Sequence, residues 1–415
     1  MSSFFWSAEI TMAADTELAK FRAMLRTESL GFLLLLAALT SLGPLSTDMY
    51  LPTLPALKLE FAADVGQVQL TLSLFLVGFA VTQLIYGPVS DRLGRKKPIL
   101  FGLALFVVAT LCCTFAWSIE ALIAGRFLQA LGACAGVVLG RAVVRDLFTR
   151  ERAARMLAYL GMAMSFAPMI APTIGGYLQL ALGWKSVFVA QAVFGLTLFV
   201  LAWRKLPESN LAPDPHALSP RRMLRNYATL LTSRHYIGFA LSVAAGYAGL
   251  FSWISGSSFV LIDVYGVPSQ HFGLYFAGIC VGYVIGTLTS ARIGLRLGLE
   301  RMMTIGTGVI ALGGVAMLTL VLLHLDGPLT LLAPMMVFTM GLGFVMPQGQ
   351  AGALSPFPQM AGSAAALMGS LQFAIAAIVG AIGGHGFDGT AFPMALSLAL
   401  SGVVSAGAYH FIARR

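Results

Sequence analysis

The chain has 415 residues, 58% hydrophobic and only 10% charged, with a mean hydropathy of +0.84. Soluble domains carry about 25% charged residues, so this composition excludes a water-covered globule. It predicts an all-α membrane protein whose formal charge of +9 meets anionic lipid rather than nucleic acid.

Residues 1–29 are mixed polar and include Glu9, Asp15, Glu17 and Glu28. No basic segment followed by an apolar stretch and a small-residue cleavage site occurs there, so a cytoplasmic tail is expected rather than a signal peptide. Met12 and Met24 are alternative starts. A bilayer span needs roughly 20 apolar residues. Beyond the tail, twelve such runs are centred near residues 41, 79, 107, 130, 166, 193, 247, 281, 312, 339, 370 and 400.

The first run ends in "LTSLGPLSTDMYLPTLP", residues 39–55, with one carboxylate, Asp48. At 1.5 Å per residue, Asp48 is expected roughly 6–10 Å inside the outer interface. An acid at that depth is costly and marks a functional position. A helix-end acid reaching the outer water is the plainer alternative.

Between the second and third runs lies "GPVSDRLGRKK", residues 87–97. A short turn with positive-inside residues accounts for its cations and glycines, but not for Asp91. That carboxylate predicts a gate latch, paired with a cation on a neighbouring helix and capping a helix of the other half. The segment resembles the loop signature G-x-x-x-D-R-x-G-R-(R/K) of the major facilitator superfamily. That resemblance implies two six-helix halves around a midplane site, and gating roles for Gly87, Asp91, Arg92, Gly94 and Arg95. It also implies a partner for Asp91 in "LGRAVVRD", either Arg141 or Arg145, which lie four residues apart on one helix face.

Cys112, Cys113, Cys134 and Cys280 all fall inside apolar runs, and the six histidines are scattered. No metal site or disulfide is expected. The fourth run, "LIAGRFLQALGACAG", carries Arg126 with Gln129 one turn on. An arginine in lipid faces a cavity or a carboxylate, or else snorkels to an interface. At about ten Ångström of depth by the same helical rise, Arg126 matches Asp48, and the two are expected to share a cavity. The run also resembles the superfamily motif L-x-x-x-R-x-x-Q-G-x-G, with Ala130 in place of its glycine.

In the fifth run, "GMAMSFAPMIAPTIGGYL", Pro168 and Pro172 precede Gly175 and Gly176. Small-residue helix packing accounts for part of this pattern. It also resembles the G-P-x-x-G-G motif of the drug/proton antiporters, with Ala171 at the first glycine. The resemblance implies export and places these four residues in gating.

The longest polar stretch, about residues 204–234, includes "LPESNLAPDPHALSPRR" and divides the runs six and six. The expected plan is a tail at 1–29, a half at 30–204, a cytoplasmic linker at 205–234 and a half at 235–415. In the second half, "GTLTSARIGLRLGLER" lacks the acid of the first-half loop, so the latch is expected on one side only. With both ends inside, every Lys and Arg except Lys58, Lys185 and Arg126 falls on the cytoplasmic side, as the positive-inside rule asks.

Finally, "STDMYLPTLPAL", residues 69–100 and "FPQMAGSAAALMGSLQF" closely resemble the bicyclomycin-resistance (Bcr/CflA) group of drug/proton antiporters. The likeness covers nearly the whole chain. It implies a bacterial inner-membrane, monomeric efflux carrier exporting bicyclomycin-, chloramphenicol- or sulfonamide-like small molecules in exchange for protons. Asp48 and Arg126 are the expected coupling pair. Burial favours a neutral carboxyl and a nearby cation a charged one, so proton and substrate can compete for one acid. Met49, Tyr50, Phe75, Gln129, Met162 and Phe166 are expected to line the pocket in the first half, with Tyr247, Phe251, Trp253 and Gln372 in the second. Met and aromatic side chains repack around varied ligands, although in a membrane bundle they also serve as plain packing. No ATP-binding motif occurs, so the proton gradient is the expected energy source, with no cofactor. A facilitator or proton-coupled carrier of an endogenous amino acid, peptide or sugar shares the fold and is the alternative. A non-transporting enzyme or sensor needs a nucleophile–base set or a signalling domain, and neither is visible.

Overall fold

The computed structural model describes residues 30–414; the expected tail at 1–29 and Arg415 lie outside the described residues. Helices dominate, and no strand occurs among the described residues. An apolar chain in lipid must satisfy every backbone group internally, which leaves the helix as the only open solution.

Among the described residues, twelve helical segments are long and apolar enough to span a bilayer. In chain order they are Leu30–Glu60, Val65–Leu93, Lys96–Thr114, Ile119–Leu147, Glu151–Leu182, Lys185–Lys205, Arg234–Val264, Ser269–Gly294, Arg296–Leu322, Pro328–Leu354, Pro358–His385 and Phe392–Ala413. Each expected centre falls within its span. The eighth and ninth spans form one continuous helical run broken at Gly298, whose φ of 76° suits a residue without Cβ.

Six spans precede and six follow the polar stretch, which is not wholly irregular. It holds a helix at Pro220–Thr232, started by a proline at its first turn, where the missing N–H is no loss. Within the first half, helices approach closely through small residues. A Cβ at Gly136 of the fourth span would sit 2.5 Å from the Leu39 carbonyl of the first.

The halves meet along two seams. Phe79 of the second span stacks edge-on against Phe373 of the eleventh, with ring centroids 5.5 Å apart. On the other side the fifth span meets the start of the eighth, where Gly273 lies against Thr173 and Gly176 against the Ser269 carbonyl. These glycines permit backbone-to-backbone contact that any side chain would block.

Candidate functional site

The site is built on a break in the first span. Its regular helix runs Leu30–Asp48 and gives way to a tight turn at Leu51–Thr53, where Pro52 and Pro55 cannot supply helical N–H groups. The Tyr50 amide bonds to the Thr47 carbonyl at 3.2 Å instead of reaching Ser46 one turn back. The Ser46 carbonyl is therefore freed in the bundle interior, where an unmet acceptor is costly.

Two side chains meet it. Arg126 Nη1 donates to Ser46 O at 3.0 Å and Gln191 Nε2 at 3.3 Å. Arg126 Nη1 also donates to Gln129 Oε1 at 2.6 Å. Gln129 Nε2 in turn donates to Thr110 Oγ1 at 2.8 Å and Gln191 Oε1 at 2.9 Å. The guanidinium lies between two rings, with its carbon 4.5 Å from the Tyr50 centroid and 4.2 Å from that of Phe75. Such stacking compensates part of the loss of water around the cation. Arg126 is 0% exposed, and its Nε and Nη2 have no hydrogen-bond partner among the described residues.

Asp48 points elsewhere. Two residues beyond Ser46, it is turned by roughly 200° around a helix of 3.6 residues per turn. Its neighbours in electrostatic reach are Tyr247 of the seventh span and Cys280 of the eighth, both in the second half. The residue is 4% exposed, and among the described residues its carboxylate has no ion-pair partner. Asp48 and Arg126 therefore do not pair directly. Similar depth places two residues at one level; it does not turn them towards the same space.

The other expected pocket residues divide in the same way. Tyr50 is buried, with its hydroxyl 2.9 Å from Thr71 Oγ1. Met49 packs with Ala171 and Val187 inside the first half. The other two residues expected in the first half lie on an exposed face of the fifth span. Met162 is 50% and Phe166 57% exposed, on one stripe with exposed Ile170, Ile174 and Tyr177. Ala167, Ala171 and Gly175, on another face of the same span, are buried.

In the second half, Tyr247 stacks on Phe373 at 5.6 Å. With the seam contact to Phe79 and the Phe75–Phe79 pair at 5.3 Å, an aromatic row runs from Arg126 to Tyr247 across both halves. Phe251 is buried against Gly380, and Gln372 of the eleventh span is buried as well. Trp253 is buried, and its indole Nε1 has no partner among the described residues. Among the described residues, no group of three or more His, Cys, Asp or Glu could hold a metal ion.

At the loop of residues 87–97, Asp91 pairs within its own segment, with Arg95 Nη1 at 2.6 Å from its Oδ1. Arg95 Nε reaches Asp146 Oδ2 at 2.8 Å, so the link to "LGRAVVRD" runs through its acid rather than through Arg141 or Arg145. Asp146 follows Arg145 by about 100° of helix, which turns it towards the loop. Arg141 Nη2 lies instead 3.2 Å from Met164 Sδ. Burial works against the Arg95 charge, but the Asp146 and Asp91 carboxylates outweigh it and hold the guanidinium above its ordinary range.

Among the described residues, Asp91 caps no helix of the other half. The cap present is Glu208, which accepts from the Arg95 amide at 2.7 Å and the Lys96 amide at 3.1 Å, at the start of the third span. Gly94 has φ 85° and lies against the Glu208 carboxylate, so both backbone and space require glycine there. Gly87 has open space around it, and Arg92 is exposed. Pro168 and Pro172 lie within the fifth span, and Gly175 lies against the Met49 carbonyl.

Gln191, Asp146, Glu208, Phe79, Phe373 and Cys280 were not singled out by sequence reasoning. Gln191 had a usable signal, as a lone amide in the apolar run "SVFVAQAVFGL". Glu208 had a weaker one, as the first acid after the sixth span.

A family model described as Major Facilitator Superfamily matches residues 36–381. The chain is 31% identical over 391 residues to the bicyclomycin resistance protein homolog of Haemophilus influenzae, covering 92% of this chain and 96% of that one. It is 29% identical over 351 residues to multidrug resistance protein D of Escherichia coli, covering 84% and 87%. The crystal structure of peptide transporter POT in complex with sulfate superposes with a TM-score of 0.76 at 14% identity, over 95% of this chain and 97% of that one. At that identity the superposition speaks for the fold alone. With the family model spanning most of its length and both halves present, the chain belongs to the Major Facilitator Superfamily.

Proposed function

We propose that this protein is a proton-driven exporter of drug-like small molecules, working by alternating access as a monomeric carrier rather than an enzyme. The observation that carries the proposal is Asp48. It is a carboxyl buried at a helix break, turned towards Tyr247 and Cys280 of the opposite half. A buried charge without a counter-ion is costly, and a proton is the smallest ligand that removes it. The likeness to proteins named for bicyclomycin and multidrug resistance supports antibiotic-like substrates, including bicyclomycin-, chloramphenicol- and sulfonamide-like compounds.

In this reading, Asp48 takes a proton when the seam between the halves opens outwards. It releases the proton inwards as substrate enters, so the two ligands exclude each other and move in opposite directions. The drive is about 2.3 kcal/mol per charge per 100 mV, plus about 1.4 kcal/mol per pH unit. Arg126, held within the first half, acts through the Ser46 carbonyl by fixing the break that presents Asp48. The asymmetry of Lys and Arg supports cytoplasmic ends, and the likeness to bacterial resistance proteins supports an inner-membrane location.

Reconstitution in vesicles tests this reading. An imposed proton gradient should drive substrate against its own gradient, and Asp48→Asn should insert normally yet lose that movement. Undiminished proton-driven extrusion by Asp48→Asn overturns the mechanism. Gradient-driven uptake in the proton's own direction would instead identify an importer.

A further inference from the structure

The helix Pro220–Thr232 in the linker is not part of the transport site, and it lies across the seam between the halves. Asn226 Nδ2 donates to Ser363 Oγ of the eleventh span at 3.3 Å. The Tyr227 hydroxyl donates to the Leu84 carbonyl of the second span at 3.5 Å. Leu230, one turn on from these residues, is buried. One face of the helix is thus anchored to both halves.

The opposite face carries Arg221, Leu224, Arg225, Ala228, Leu231 and Thr232, all exposed. Their spacing of three and four residues puts them on one stripe. Leu224 is 69% and Leu231 49% exposed, two turns apart on the same face. Beside them, Arg222 is taken by Asp214 at 2.9 Å. Among the described residues, Arg221 and Arg225 have no carboxylate partner. Two unpaired cations flanking two exposed leucines match a surface that is anionic outside and apolar beneath.

We propose that this face docks on anionic phospholipid of the adjacent leaflet, with Arg221 and Arg225 on the phosphates and Leu224 and Leu231 in the acyl boundary. Anchored in this way, the helix ties the second and eleventh spans to the lipid surface at one end of their seam. Each arginine at an anionic surface gives about a fivefold preference, so the pair gives on the order of thirtyfold. Salt screens this attraction.

The test uses the full chain in nanodiscs of phosphatidylcholine, alone or with roughly a third of phosphatidylglycerol. Amide hydrogen exchange is read over residues 220–232. Phosphatidylglycerol should slow exchange of this helix by about thirtyfold at low salt, with the gain shrinking at about 0.5 M salt. The double variant Arg221→Gln, Arg225→Gln should exchange at the phosphatidylcholine rate in both lipids, with the spans protected as in the wild type. Equal exchange of the wild type in the two lipids overturns the proposal. So does a gain that survives both substitutions, or one reproduced by soluble glycerol phosphate. If the variant does not fold, the lipid and salt dependence of the wild type decides.

Discussion

Asp48 ends the regular helix of the first span, so its carboxyl stands at the negative pole of the helix dipole, buried and without a cation. Nothing among the described residues repays that arrangement as stability, which accords with the proposed coupling role. Gln191 is the opposite case, because it closes both the freed Ser46 carbonyl and the amide of Gln129. The expected outcome is a split in thermal unfolding measured in detergent above neutral pH. Asp48→Asn should be at least as stable as the wild type, whereas Gln191→Leu should lose about 1–3 kcal/mol through unpaired buried polar groups. A marked loss in Asp48→Asn would show that the carboxylate has a stabilising partner after all.

Among elements, the third span is notable for how it begins. Its N-cap position, Arg95, makes no side-chain cap, and Glu208 supplies one from beyond the sixth span. The linker continues along the same loop, where Asn210 Nδ2 and the Asp214 amide both donate to the Asp91 carbonyl at 3.0 Å. A carboxylate on free N–H groups at a helix start contributes about 1 kcal/mol. Glu208→Ala should therefore lower stability by about that amount and speed proteolysis within residues 206–219, as followed by limited digestion. Unchanged cleavage would mean that the linker is held by its other contacts. Asp146 adds a third carboxylate to this cluster and joins the fourth span to the loop through Arg95.

For the whole molecule, two seams of unlike character hold the halves together. The seam of the second and eleventh spans is aromatic at Phe79 and Phe373. That of the fifth and eighth is nearly side-chain-free where Gly176 and Gly273 meet backbone. Small-residue contacts suit surfaces that must part and rejoin, since few interlocked side chains need to repack. Orientation belongs to this scale as well. A reporter active only in the cytoplasm should work when fused after Ala413 and fail when placed in the turn at residues 61–64, and an exported reporter should do the reverse. Identical behaviour at both sites would refute the assigned orientation.

Much of this was legible in the linear chain. Twelve apolar runs, the charge asymmetry and the loop at residues 87–97 determined span number, division into halves and family likeness, because apolar runs of this length satisfy their backbone in lipid only as helices and charge is segregated along the chain. Asp48 and Arg126 also stood out, because charges in such runs are rare. Which way each side chain turns was a tertiary matter. The break after Asp48 gave Arg126 the Ser46 carbonyl within the first half and left Asp48 in electrostatic reach of the second, and the phase of the fifth span left Met162 and Phe166 exposed. Depth along a helix accumulates residue by residue and can be read from sequence. Azimuth depends on breaks of a few degrees of backbone and on neighbours from distant segments, such as Gln191 and Glu208, so only the packed bundle decides it.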